Sequence, residues 1–164
     1  MNRQPKELLL ERLEDRIKEL DSQYNCSLAT GSFAFRSMTD VREAAHAHVM
    51  YEYPYSAYLL FRCMRWALSP SVPLAKGTWR TDLDVLLFLL AAVPDVHGPV
   101  EAAALQEKFM KWDSTDVDLV CAWLDIVGQC SFVRECYREE WECACCFWKT
   151  LKGQRDGGVA SDSA

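Results

Sequence analysis

The sequence has no apolar run long enough to cross a membrane, no cluster of basic residues, few glycines and no stretch of alternating polar and apolar residues. Its longest strongly apolar segment, Val85 to Val93, falls far short of the ~20 residues a membrane-spanning helix needs. The 18 Lys and Arg are dispersed among 24 Asp and Glu, for a net charge of −6. No basic stripe is available to follow a phosphate backbone, so nucleic acid is not an expected partner. Residues Met1 to Leu20 are charged throughout, unlike the apolar centre of a secretory signal. The expectation is a protein of the cytoplasm or nucleus with no integral membrane span.

Catalytic signatures are missing too. There is no glycine-rich phosphate loop, no nucleophile elbow and no triad order of Ser, His and Asp. Glu139 and Glu140 have no His or second acid placed beside them and suit a solvated helix face. His46 and His48 stand two apart on a helix, so they point to different sides and make poor joint ligands. They suit a partly exposed pair near an interface. No enzyme activity, catalytic residue or cofactor is expected.

What the chain does have is apolar mass: hydrophobic residues make up 50% of it, with 6 Trp, 6 Tyr and 7 Phe. That is enough for a substantial core, and 164 residues suit one domain. Pro5 opens a first amphipathic helix carrying Leu9, Leu13, Ile17 and Leu20. Residues 21–38 lack a period and predict a loop. Thr39 or Asp40, with Glu43, predicts the cap of a second helix reaching about Tyr53, where Pro54 intervenes. Tyr58 to Leu68 form a strongly apolar helix, ended by Ser69 to Pro73. A helix from Trp79 is apolar on nearly every side from Leu83 to Val93, which predicts a central position. Helices follow from Val100 to about Trp112, from Asp116 to Val127 (capped by Ser114 or Thr115 and stopped by Gly128) and from Ser131 to Leu151. The predicted fold is all-α, a single-domain bundle of seven to eight helices around a hydrophobic central helix. It covers residues 1–152, and residues 153–164 form a disordered tail.

Five of the eight cysteines, Cys130, Cys136, Cys143, Cys145 and Cys146, crowd the C-terminal region. Reduced, mostly buried thiols fit a chain without an export signal, and the Asn25-Cys26-Ser27 sequon then goes unused. Cys136, Cys143 and Cys146 share a helical face and are the candidates for a zinc site. A second Cys-x-x-Cys knuckle or a nearby His pair is missing. Redox chemistry is disfavoured, because Glu139, Glu140 and Glu142 precede Cys143 and oppose its thiolate.

A longer pattern joins three segments. Trp79-Arg80-Thr81-Asp82-Leu83 opens the apolar helix, Trp123-Leu124-Asp125-Ile126-Val127-Gly128 recurs downstream before Glu135 and Tyr137, and Val41 to Met50 form a helix with small Ala45 four after Val41. In these segments the chain resembles the Bcl-two apoptosis-regulator family. They correspond in order to its first, second and third homology motifs, and the charged first helix to its fourth. The resemblance spans most of residues 5–150. Arg80 stands where the family has Gly and Thr81 where it has the ligand-pairing Arg. His46 replaces the third motif's Asp, Gln129 replaces a Gly of the second, and no C-terminal membrane anchor is expected. Such erosion suits a diverged, viral-type member. The resemblance implies helix-in-groove recognition. Met50, Tyr58, Phe61, Trp79, Leu83 and Leu87 line or border an apolar trough, and Arg80, shifted by one place, pairs with an acidic residue of the incoming helix. The implied partner is an amphipathic helix of a pro-apoptotic protein, and the implied outcome is inhibition of apoptosis. The alternatives are the same fold acting as an adaptor that blocks innate immune or inflammatory signalling through an outer face, and a zinc-binding helical module. The oligomeric state stays open, a homodimer included.

Overall fold

The structure, a computed structural model, describes residues 3–31, 34–69 and 80–161, with side chains as far as residue 158. Among these residues there are ten α-helices, one 3-10 turn and no strand, so the chain is all-α. It divides into two compact units, Met1–Leu86 and Leu87–Ala164. The predicted helix start at Trp79 and the stop from Pro70 to Pro73 lie outside the described residues.

The first unit is organised by one apolar helix. Helix α4 (Tyr55–Ala67) buries Tyr58, Leu59, Leu60, Phe61, Cys63, Met64 and Ala67, together with Ser56 and Ala57. Residues buried on so many sides need cover all round. Helices α1 (Pro5–Tyr24), α2 (Cys26–Thr30) and α3 (Met38–Ala47) and the 3-10 turn His48–Met50 all pack against α4. Helix α1 contributes buried Leu9, Leu13 and Leu20, and α3 contributes Val41, Ala44 and Ala45.

Two local devices escape the periodicity argument. Helix α1 continues to Tyr24, and Asn25 then turns the chain in the left-handed region at φ 53° and leads directly into α2. The Asp21 carboxylate accepts the Ser27 N–H at 2.8 Å, and the Thr30 hydroxyl donates to the Cys26 carbonyl at 2.8 Å. A helix therefore stands where the missing period predicts only loop. Helix α3 is capped by Ser37, not by Thr39 or Asp40. The Ser37 hydroxyl accepts from the Asp40 N–H while the Asp40 carboxylate accepts from the Ser37 N–H, which closes a reciprocal box.

The second unit takes its order from carbonyl groups. Helix α5 (Thr81–Leu90) runs across the unit boundary, and Leu83, Val85, Leu86, Leu87, Leu89 and Leu90 are all buried. The last carbonyls of a helix lack partners within it. The His97 Nε2–H donates to the Phe88 carbonyl at 2.7 Å, the Trp148 indole N–H to Leu90 at 2.9 Å, and the Gln106 amide to Ala92 at 2.8 Å. These donors come from α6 (Pro94–His97), α7 (Pro99–Phe109) and α10 (Arg138–Ser161). Pro94 thus begins α6 as well as following α5. Trp148 also lies 4.8 Å from Phe109 and 5.5 Å from Trp112 between ring centroids.

Helix α8 (Ser114–Val127) is capped by the Asp113 carboxylate, which accepts the Asp116 N–H, one residue before the predicted caps. It pairs with α10 through Lys149–Asp125 at 3.1 Å and a Lys152–Asp118 bridge. The predicted last helix is broken at Tyr137 into α9 (Ser131–Cys136) and α10. Helix α10 then continues to Ser161, where the Gly-rich composition predicts a disordered tail from 153. Lys152 on Asp118 and Arg155 on the Met110 carbonyl supply partners that composition does not reveal.

Gly128 does not end α8 in the left-handed conformation expected of it, since its φ is −67°. Its role is close approach. A Cβ here would overlap the six-membered ring of Trp141, whose Nε1–H donates to the Leu124 carbonyl at 2.9 Å. Gly128→Ala should therefore cost about 1–3 kcal/mol by overpacking. Urea unfolding checks this, and an unchanged midpoint would contradict it.

Candidate protein-binding surface

The link from α3 to α4 carries two exposed apolar residues, Val49 and Met50. His48 turns inward, fully buried, and its Nδ1–H donates to the Ala45 carbonyl at 2.5 Å. With His48 inside, Val49 and Met50 face outward, Met50 being 82% exposed. The sequence expectation of a partly exposed His46–His48 pair is thus corrected: His46 is exposed and His48 is core. Tyr51, Tyr53 and Pro54 follow, half-buried and outside any helix, before Tyr55 opens α4.

This turn is held against α1. The Tyr55 hydroxyl reaches the Tyr24 carbonyl at 3.5 Å, and the Arg16 guanidinium donates to the Tyr53 hydroxyl at 3.4 Å. Tyr24 is itself exposed, and so is Leu28 on the adjoining α2. Single exposed apolar residues are ordinary. A concentration of Tyr and Met with Val and Leu is the composition of protein-interface cores. Sequence reasoning singled out Met50 alone and took Pro54 only as punctuation. The run Tyr51-Glu52-Tyr53-Pro54-Tyr55 is the signal it passed over.

Four of the residues expected to line the trough are buried. Tyr58, Phe61, Leu83 and Leu87 are 5%, 0%, 4% and 0% exposed. They are core residues, whereas Met50 meets solvent. Trp79 lies outside the described residues. Arg80 is only 3% exposed and already paired. Its Nε and Nη2 donate to the two oxygens of fully buried Asp82 at 2.8 and 2.6 Å, and Nη2 also donates to the Ala67 carbonyl at 2.8 Å. The planar guanidinium fits a carboxylate two atoms at a time. Asp82 therefore occupies the fork that was expected to receive a partner's acid, and the grip on Ala67 ties the end of α4 to the start of α5.

Among the described residues no three His, Cys, Asp or Glu side chains gather as a metal-holding group, so Cys136, Cys143 and Cys146 do not make one. All eight cysteines are free thiols, Cys136 and Cys146 exposed and Cys143 part-exposed. Burial pushes the Cys26 and Cys121 thiols up to about 11, and it raises Cys63 further. Cys143 is raised by burial and then by the Glu139 charge. A small cleft of about 260 Å³ lies beside Leu10, Glu11, Glu14, Arg65 and Ser69, and the Arg65–Glu14 ion pair belongs to its wall.

Comparison with protein-family models, curated proteins and solved structures finds no match.

Two outcomes follow from this geometry. Asp82→Asn leaves a buried guanidinium without its counter-charge and should destabilise the protein by about 3–5 kcal/mol; a loss below ~1 kcal/mol in urea unfolding would contradict the pairing. Alkylation of the native protein near pH 8 should label Cys136 and Cys146 first and leave Cys26, Cys63 and Cys121 protected, because buried neutral thiols are poor nucleophiles. Mass mapping of the labelled peptides reads the order, and early labelling of Cys63 would overturn it.

Proposed function

We propose that the protein is a non-catalytic, Bcl-two-like interaction module that restrains cell-death or innate immune signalling by docking an amphipathic helix of a signalling protein. The docking face is the outer surface of Tyr24, Leu28, Val49, Met50 and the three tyrosines of the following turn, not an internal trough. One observation carries this preference: the trough residues Tyr58, Phe61, Leu83 and Leu87 are buried, while Tyr24, Leu28, Val49 and Met50 are exposed. The buried Arg80–Asp82 pair supports the same choice, because a partner's acid would have to displace an internal carboxylate. The all-helical build, the apolar α5 and the order of the three motif-like segments support the family reading. No helix among the described residues is long and apolar enough to cross a membrane.

Met50 and Val49 supply apolar area at roughly 25 cal/mol per Å² removed from water, and the tyrosines add rigid rings with hydroxyls at their edge. A partner helix laid across them gains both. The test combines two measurements on the wild type and on a Val49→Glu/Met50→Glu variant of unchanged circular dichroism. In stimulated cells the variant should lose protection and lose its co-purifying partner by at least about tenfold. Any saturable binding of death-ligand helices by the pure wild-type protein at tens of micromolar should be lost in the same variant. Saturable binding that survives the double substitution would refute the outer-face reading in favour of the trough.

A further inference from the structure

We propose that Tyr53 is a phosphorylation site whose phosphate is clamped by Arg16, and that this modification switches the docking face off. The switching half rests on the docking reading above; the clamp does not.

Tyr51 to Pro54 connect the 3-10 turn to α4 and belong to neither, and exposed Glu52 directly precedes Tyr53. The Tyr53 hydroxyl already faces a cation. Arg16 Nη2 stands 3.4 Å away, a long contact for a neutral phenol. The Arg16 side chain is only 11% exposed, and its Nη1 holds the Glu19 carboxylate at 3.0 Å. A phosphoryl group carries about −1.5 to −2 charges and three strong acceptor oxygens. At Tyr53 those oxygens meet the Arg16 guanidinium as stronger acceptors than the neutral phenol, and Glu19 on its Nη1 is more than half exposed. Tyr55 offers the opposite environment. Its hydroxyl faces the Tyr24 carbonyl, an acceptor that repels phosphate oxygens. The two tyrosines are two residues apart, and their surroundings separate them.

The step needs a protein tyrosine kinase and ATP. The Tyr53 phenolic oxygen attacks the γ-phosphorus and forms the new P–O bond. The bond from that phosphorus to the β,γ-bridging oxygen breaks, ADP departs, and the phenolic proton passes to the kinase's base. The product places a dianion three residues after Met50, in the same link between the 3-10 turn and α4, and an apolar helix face laid across that link would have to desolvate it.

The full chain, treated with a tyrosine kinase domain of broad specificity and ATP, should carry phosphate on Tyr53 ahead of Tyr51, Tyr55 and Tyr24 by peptide mapping. Phosphorus NMR should show the second phosphate ionisation at lower pH than in a phosphotyrosine peptide. That displacement should vanish in Arg16→Gln. Phosphorylation should also lower partner binding by at least about tenfold. Labelling confined to the other tyrosines, or an ionisation indifferent to Arg16→Gln, overturns the clamp. A clamped phosphate that leaves partner binding intact overturns the switch. When Val49→Glu/Met50→Glu also leaves binding intact, it is the docking reading that has failed, and the clamp stands on the NMR result.

Discussion

A helix with apolar residues on most of its sides must be wrapped, and in the first unit the helix that meets this demand is α4. Helices α1, α2 and α3 and the His48–Met50 turn all lean on it. Once Tyr58 and Phe61 are committed to that contact, they have no apolar surface left to offer a visitor. The same wrapping sets the direction of the turn before α4. His48 fills the inner position, so Val49 and Met50 are left outside. A closed interior and an apolar exterior are thus two results of one packing problem.

Polar groups then decide how the segments end. Two C-terminal carbonyls of α5 are met by an imidazole and an indole, and the Ala92 carbonyl just beyond the helix by an amide, from three other helices. Each bond is worth about 1 kcal/mol net, but an orphaned buried carbonyl costs more than that, so the three donors constrain where α6, α7 and α10 can lie. In the first unit the Arg80 guanidinium bonds Asp82 and the last carbonyl of α4 together. A charge that looked available for recognition is spent on architecture.

Much of the helical outline was legible in the sequence because burial imposes a 3.6-residue period. Leu9, Leu13 and Leu20 on α1, the apolar run of α4, and Phe109 and Trp112 all behave as their spacing predicts. The losses have a common cause: each depends on a partner distant in sequence. Helix α2 is too short to show a period and rests on Asp21. The end of α10 looks like a glycine-rich tail until Asp118 and Met110 are placed beside it. Gly128 reads as a helix stop, whereas its neighbour is Trp141. For the candidate site, Met50 was visible as a member of a helix end. Which of its neighbours are exposed depends on the inward turn of His48, which no local pattern encodes. Arg80 was recognisable as a recognition-type residue, and only the structure shows Asp82 already in its grasp.

The claim at the centre of this account is that the apolar surface open to partners is the outer turn and not the interior around α4 and α5. Solvent paramagnetic relaxation of methyl signals, with an inert soluble radical, measures this directly. The Met50 methyl should broaden strongly, and the Leu83 and Leu87 methyls should stay sharp. Broadening of Leu83 and Leu87 comparable to that of Met50 would mean an open trough and would contradict the account.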